Sequence, residues 1–487
     1  MVDNIKGKAF SSIIWTILQK VFGLSIQFIS GIILARLLSP DDYGAIGMLI
    51  IFTSISNVFV DGGFGAALIQ KQNVSQTDYS TVFYWNLGIS VVLYLVLYFL
   101  APYIALFYKM PILSSVLRFQ SSIIIISAFS NIQLNILKKE LRFKEVSIIS
   151  LLSSIVALII TIILASFGYG VWALVAQYIL MAFIPTVSYW FICKWTPNLT
   201  FSISSFKGLF KFGCFVLLSN LINNIGRSLE GLLIGRFYNA STMGLYTKGK
   251  SLEGIAMTGI TDALSQVTFP LYSGFQDNIS ELRNIIRKLT KMTAFVIFPF
   301  AFFLIIIANP LFSILYSNKW LGSVPYFQVL TLSGIAVALQ GVNGQIINAI
   351  GLSKKQMDYT IYKRILNIIL LLIGLYYFGM KGLLSAVVLE SWISYSINAL
   401  LVSKHIGYSL KQQITDILEI SLLSILLFII IYLIQYTVGG NFYFVPLIAG
   451  GLYITVYLFL SYIFKISSLF DIIRILKNNF NKYHSNE

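Results

Sequence analysis

The chain has 487 residues, of which 57% are hydrophobic and 11% charged, and its formal net charge is +16. Soluble domains carry about 25% charged residues and about 45–50% apolar ones, so a soluble globular protein is excluded. Only two cysteines (Cys193, Cys214) and two histidines (His405, His484) are present, which argues against a disulfide scaffold, a metal centre or histidine acid–base chemistry.

Apolar runs of spanning length recur along the whole sequence. A hydrocarbon layer of roughly 30 Å needs about 20 apolar residues per helix, and nowhere does the long alternation of a transmembrane barrel appear. The fold class is therefore an all-α polytopic membrane protein. The opening "MVDNIKGKAF" lacks the layout of a cleavable signal, so the first apolar run is expected to be the first span. Fourteen transmembrane helices are predicted, at 10–35, 43–68, 80–107, 113–136, 145–167, 170–192, 209–235, 244–271, 291–316, 325–350, 359–378, 382–403, 413–435 and 442–464. With both termini placed in the cytoplasm, 24 of the 34 lysines and arginines fall on the inner side. Five fall outside: Arg36, Lys109, Arg236, Lys319 and Lys381. This positive-inside bias accounts for most of the net charge and removes the case for nucleic acid. After the last span, "FKISSLFDIIRILKNNFNKYHSNE" spaces Phe470, Ile473 and Leu476 as one helix face beside Arg474 and Lys477. An amphipathic helix on the inner membrane surface is expected there.

Two segments repeat. "SGIILARLLSPDDYG" (30–44) and "EGLLIGRFYNASTMG" (230–244) align without a gap at an offset of 200, matching Gly31 to Gly231, Arg36 to Arg236 and Gly44 to Gly244. The preceding helices repeat a polar face at spacings of three and four. Thr16, Lys20, Gly23, Gln27 and Ser30 form it in the first copy, and Asn220, Asn223, Arg227 and Glu230 in the second. Six spans separate the copies, an even number, so they have like orientation, as in parallel-repeat transporters. The division expected is 1–200 and 201–405 as two six-helix lobes, 406–465 as two further helices and 466–487 as a tail.

The stretch "WTILQKVFGLSIQFISGIILARLLSPDDYGAIGMLIIFTSISNVFVDGGFGAALIQKQ", with "LKKELRFKE" after the fourth span, resembles polysaccharide-export flippases of the Wzx type. The resemblance is strongest to the fourteen-helix, WzxC-like branch of the multidrug/oligosaccharidyl-lipid/polysaccharide (MOP) exporter superfamily. It implies a V-shaped pair of six-helix lobes, as in the MATE transporters of that superfamily, plus two C-terminal helices. It also implies transport, by a monomer, of an undecaprenyl-diphosphate-linked oligosaccharide from the inner to the outer leaflet of the bacterial inner membrane, for surface polysaccharide such as O-antigen or capsule. Alternating access, coupled to an H+ or Na+ gradient and without an organic cofactor, is the mode implied. A polysaccharide polymerase and a chain-length regulator are the partners it suggests, beside membrane lipids. An extruder of drugs or toxins from the same superfamily is the alternative. A membrane polymerase or ligase fits less well, because the outer loops are short and hold no histidine.

Such cargo needs cations in a wet cleft. Five basic residues fall inside spans: Lys20, Arg118, Arg227, Lys248 and Lys250. A charge at a helix centre costs at least about 2.5–3.5 kcal/mol, so each needs a reason. Lys20 and Arg227 on the repeated stripes are the first candidates for headgroup binding, with Gln27, Asn223, Lys248 and Lys250 beside them. The alternatives are a Glu230 ion pair for Arg227, a hydrogen bond to a neighbouring helix for Lys20, and snorkelling for Lys248 and Lys250. Arg118, close to Pro111, reads as an interface anchor. Among acids within spans, Asp61, Glu230, Glu253 and Asp262 are candidates for ion coupling or gating, Asp61 equally for helix capping, and Glu390 completes the set.

Overall fold

Serine caps decide where the first helices begin. Helix α1 (Val2–Leu37) ends one residue past Arg36, and α2 (Pro40–Asp61) starts behind Ser39. The Ser39 hydroxyl accepts the Asp42 N–H, and the Asp42 carboxylate accepts the Ser39 N–H at 2.9 Å. Pro40 occupies the first turn, where its missing N–H leaves no bond unmade. Gly62, left-handed at φ 57°, ends α2, and α3 (Phe64–Gln70) follows. Ser75 and Asp78 repeat the capping box at the start of α4 (Gln76–Phe107).

The computed structural model describes residues 2–259, 261, 268, 272, 274–275, 278–438 and 443–484. Within them, α5 (Ile112–Gln120), α6 (Ser122–Ala128), α7 (Asn131–Lys139), α8 (Phe143–Ser166), α9 (Val171–Cys193), α10 (Ile203–Phe237) and α11 (Ala240–Glu253) continue the chain. A π-helical turn, Gly254–Thr258, extends α11. Then come α12 (Ile279–Ile306), α13 (Ala308–Tyr316), a 3-10 turn (Asn318–Ser323), α14 (Val324–Ala349), α15 (Ser353–Ile406), α16 (Leu410–Val438), α17 (Phe444–Ile463) and α18 (Ser467–His484).

Eleven of the described helices are long and apolar enough to cross a membrane, or twelve with one bent pair. That pair, Ile112–Ala128 and Asn131–Lys139 at 43°, stands where a straight span 113–136 was expected. Ser130 stands at the break, where its hydroxyl donates to the Ser127 carbonyl three residues back at 3.2 Å, competing with the helical ladder. The 54-residue α15 is a hairpin rather than one rod. Gly379 breaks it at φ 60°, ψ −140°, and a Cβ on Gly374 or Gly382 would strike the other's backbone, so the two arms fold back on each other. They match the expected spans 359–378 and 382–403. The expected span 244–271 runs into residues outside the described set. Pro102, Pro185 and Pro299 lie inside helices, while Pro446 stands in the first turn of α17.

Contacts divide the chain into two units, Met1–Thr247 and Lys248–Glu487. In the first, α1 packs on α8, α8 on α9, and α10 on α2, α3 and α4. In the second, α12 packs on α14, α16, α17 and α18, and α14 on α15.

The first unit also shows the repeat in three dimensions. A Cβ on Gly44 would fall on the Ala240 carbonyl, and one on Gly244 would fall on the Pro40 carbonyl. A Cβ on Gly47 would stand 2.8 Å from the Thr247 hydroxyl. Residue 44 thus meets 240 as 244 meets 40, the reciprocity of a local two-fold. Partners keep an offset near 200, so α2 and α11 start side by side in the same direction. Only glycine permits backbones this close.

Candidate functional site

The polar stripe of α1 is divided by its packing. Thr16 donates to the Ser12 carbonyl of its own helix at 2.7 Å. Ser30 is buried and accepts from the Gln177 amide of α9 at 3.3 Å. Lys20 and Gly23 are half-buried between these ends, and Gln27 is exposed. Helix α8 meets the neighbouring face, where the Ser147 hydroxyl reaches Gln19 at 3.0 Å.

On α10, Asn220 is exposed, Asn223 half-buried and Arg227 exposed, and Glu230 is buried at 8%. The Arg227–Glu230 ion pair weighed from sequence is not formed. The Tyr246 hydroxyl donates to the Glu230 carboxylate instead. Arg227 is in no hydrogen bond or ion pair among the described residues. Its guanidinium, which presents five donors in a planar fork suited to phosphate, therefore keeps its capacity for another anion.

Lys248 has a different setting. It is 3% exposed, and its ammonium lies 4.3 Å from the Tyr316 ring centre and 5.6 Å from that of Trp320. The aromatic faces supply the negative potential that a buried cation needs. Snorkelling does not describe it, and a ligand meets it only if α13 or the 3-10 turn moves. Lys250 is half-buried.

The acids divide similarly. Asp61 stands at the start of α3, where its carboxylate would lie 2.9 Å from a Cβ on Gly65. Glu253 abuts Gly334, where a Cβ would approach its carboxylate to 2.8 Å. Glu390 accepts the Ser394 hydroxyl at 2.7 Å. Asp262 lies outside the described residues. Arg118 donates to the Tyr98 carbonyl at 3.2 Å and stacks on the Tyr98 ring at 4.4 Å, as an anchor would.

Among the described residues, three buried charges escaped the sequence reading, Asp78, Lys363 and Asp416, because each sits near a span end, where a loop position was assumed. Lys363, 7% exposed, donates to Asn398 at 2.8 Å across the α15 hairpin. Asp416 is held by Arg287 through two bonds of 2.6 and 2.8 Å, by Lys291 at 3.1 Å and by the Tyr408 hydroxyl at 3.0 Å. The available signal was polar side chains four apart: Lys363 with Asn367, and Ser394 with Asn398.

The family described as "Polysaccharide biosynthesis protein" matches residues 33–325, more than half of the chain. The chain belongs to this family. Among relatives of this polysaccharide biosynthesis protein, "Teichuronic acid biosynthesis protein TuaB" of Bacillus subtilis is 27% identical over 74% of each chain. "Lipopolysaccharide biosynthesis protein WzxC" of Escherichia coli is 20% identical over 85% of each. The solved structure "Lipid II flippase MurJ, inward closed conformation" superposes with a TM-score of 0.76 at 19% identity, covering 93% of this chain and 98% of that one. The family protein is thus a multi-pass membrane protein whose fold is similar to that of the MurJ structure, and the WzxC-like resemblance holds.

Proposed function

We propose that the protein is a flippase that moves undecaprenyl-diphosphate-linked oligosaccharide repeat units from the inner to the outer leaflet of the bacterial inner membrane. Alternating access, driven by an H+ or Na+ gradient, turns the site from one side to the other in a monomer. Fourteen spans in two like-oriented halves (1–200 and 201–405), with two further spans at 406–465, carry the cycle. Both termini are cytoplasmic. A polymerase and a chain-length regulator take the product on.

The observation that carries this reading is Arg227: a membrane-helix arginine, exposed and without a carboxylate partner among the described residues, on a stripe that the first repeat matches with Lys20. A guanidinium at that depth is costly unless an anion visits it, and a diphosphate accepts bidentate hydrogen bonds from it. The names of TuaB, WzxC and MurJ support the same cargo class. Asn223 and Gln27 would then meet sugar hydroxyls.

The test is Lys20→Ala and Arg227→Ala in a strain lacking the chromosomal copy, with surface polysaccharide and lipid-linked precursor quantified together. Loss of surface polymer with accumulated precursor is expected in both. Wild-type polymer in both would refute the headgroup assignment.

A further inference from the structure

At the basic end of the first unit, α3 and α10 enclose a cleft of about 360 Å³, within the roughly 300–1,000 Å³ of small-ligand sites. Ala67, Gln70 and Lys71 line it from α3, and Ser204, Ser205, Gly208, Leu209 and Phe212 from α10. The two helices are pinned together at one end, where a Cβ on Gly63 would collide with the Gly213 carbonyl. Beyond that point they part, and Gly208 faces open space, with nothing within 4 Å of where its Cβ would be. The stacked rings of Phe206 and Phe210, 5.5 Å apart and packed against Phe64, stiffen the wall.

The lining is two-sided in chemistry. Ala67, Leu209 and Phe212 make an apolar side, and Gln70, Lys71, Ser204 and Ser205 a polar one. The Lys71 ammonium binds Asp78 at 2.6 Å, and two of its three N–H groups remain. That carboxylate is further satisfied by the Ser75 N–H at 2.8 Å and lies within reach of Ser205. Lys139 donates to the carbonyls of Leu68 and Lys71, adding a second cation at the end of α3. Lys207 and Lys211 follow Ser204 and Gly208 by three positions, so they flank the same face. Both are exposed, and neither is in an ion pair among the described residues. Four cations against one engaged carboxylate, beside an apolar wall, suit a ligand with a phosphate at one end and a hydrocarbon chain at the other.

We propose that the cleft between α3 and α10 binds the phosphate headgroup and first tail carbons of an anionic membrane lipid. The proposal rests on the membrane orientation given above, which makes this end cytoplasmic, and does not involve Lys20 or Arg227. Two sources share the chemistry. One is the isoprenoid-diphosphate carrier, for which the cleft would be a loading station; the other is a bilayer phospholipid.

The test uses the full-length protein in detergent. Its melting temperature is followed against geranyl diphosphate, short-chain phosphatidylglycerol and short-chain phosphatidylcholine, since a ligand that binds the folded state raises Tm with concentration. The wild type is expected to respond to at least one of the two anionic lipids and not to phosphatidylcholine. Gly208→Phe, which fills the open space, and Lys207→Gln/Lys211→Gln, which removes charge alone, should each weaken that response about tenfold, or about 1.4 kcal/mol. A response to geranyl diphosphate only identifies the carrier, and one to phosphatidylglycerol only identifies a bilayer lipid. The proposal fails if phosphatidylcholine is equivalent, if no lipid acts on the wild type, or if the double lysine variant binds as the wild type does. The Lys20 and Arg227 strains test transport separately, so failure of the cleft leaves that reading standing, and failure of that reading leaves the cleft measurable.

Discussion

Side chains that look alike in sequence have different settings in the folded chain. Lys20, Arg227 and Lys248 are all basic residues in apolar helices. Of these only Arg227 is both exposed and without a partner among the described residues, whereas Lys248 is enclosed by Tyr316 and Trp320. A cation–π contact of a desolvated ammonium is worth about 2 kcal/mol, which offsets only part of the cost of burial. The effective desolvation penalty of a buried ion is several kcal/mol, which an apolar side chain of similar length does not incur. Lys248→Met is therefore expected to leave the Tm of the purified protein unchanged or raised, with surface polysaccharide retained. A large drop in export at unchanged Tm would instead put Lys248 back among the headgroup ligands.

At the scale of elements, glycine contacts decide how helices meet. Helices α1 and α10 end at Leu37 and Phe237, and α2 and α11 begin at Pro40 and Ala240. The 200-residue offset found in the sequence thus also governs helix boundaries. Gly44 and Gly244 make the reciprocal contact. Adding a side chain in a packed site costs about 1–3 kcal/mol, more where the backbone must move. Gly44→Val and Gly244→Val should each lower Tm by several degrees or prevent accumulation of folded protein. Gly88→Ala is the control. It faces open space, and alanine is favoured over glycine in a helix by about 0.5–1 kcal/mol. Equal Tm values for all three variants would show that the contact does not hold the segments together.

For the whole molecule, orientation is the property that charge counting predicts most directly. Basic residues stay on the cytoplasmic side because loops rich in lysine and arginine are not readily translocated. With Cys193 and Cys214 replaced by alanine, a single cysteine at Lys109 is expected to react with a membrane-impermeant maleimide in intact cells. One at Lys355 should react only after permeabilisation. The opposite pattern would invert the chain and move the α3–α10 cleft to the outer face.

The sequence by itself determined the membrane class, the duplication and the family, because hydropathy, polar-face periodicity and a constant offset are local or strictly repetitive signals. The stripe carrying Lys20 and Arg227 was legible for the same reason. The tertiary structure alone decided which charges are engaged. Glu230 turns to Tyr246 rather than to its helical neighbour Arg227, Lys363 finds Asn398 across a hairpin, and Asp416 gathers Arg287 and Lys291 from another helix. The opening beside Gly208 is likewise a tertiary fact. Partners far apart in sequence leave no periodic trace in a single chain, and a cleft exists only where two packed helices diverge.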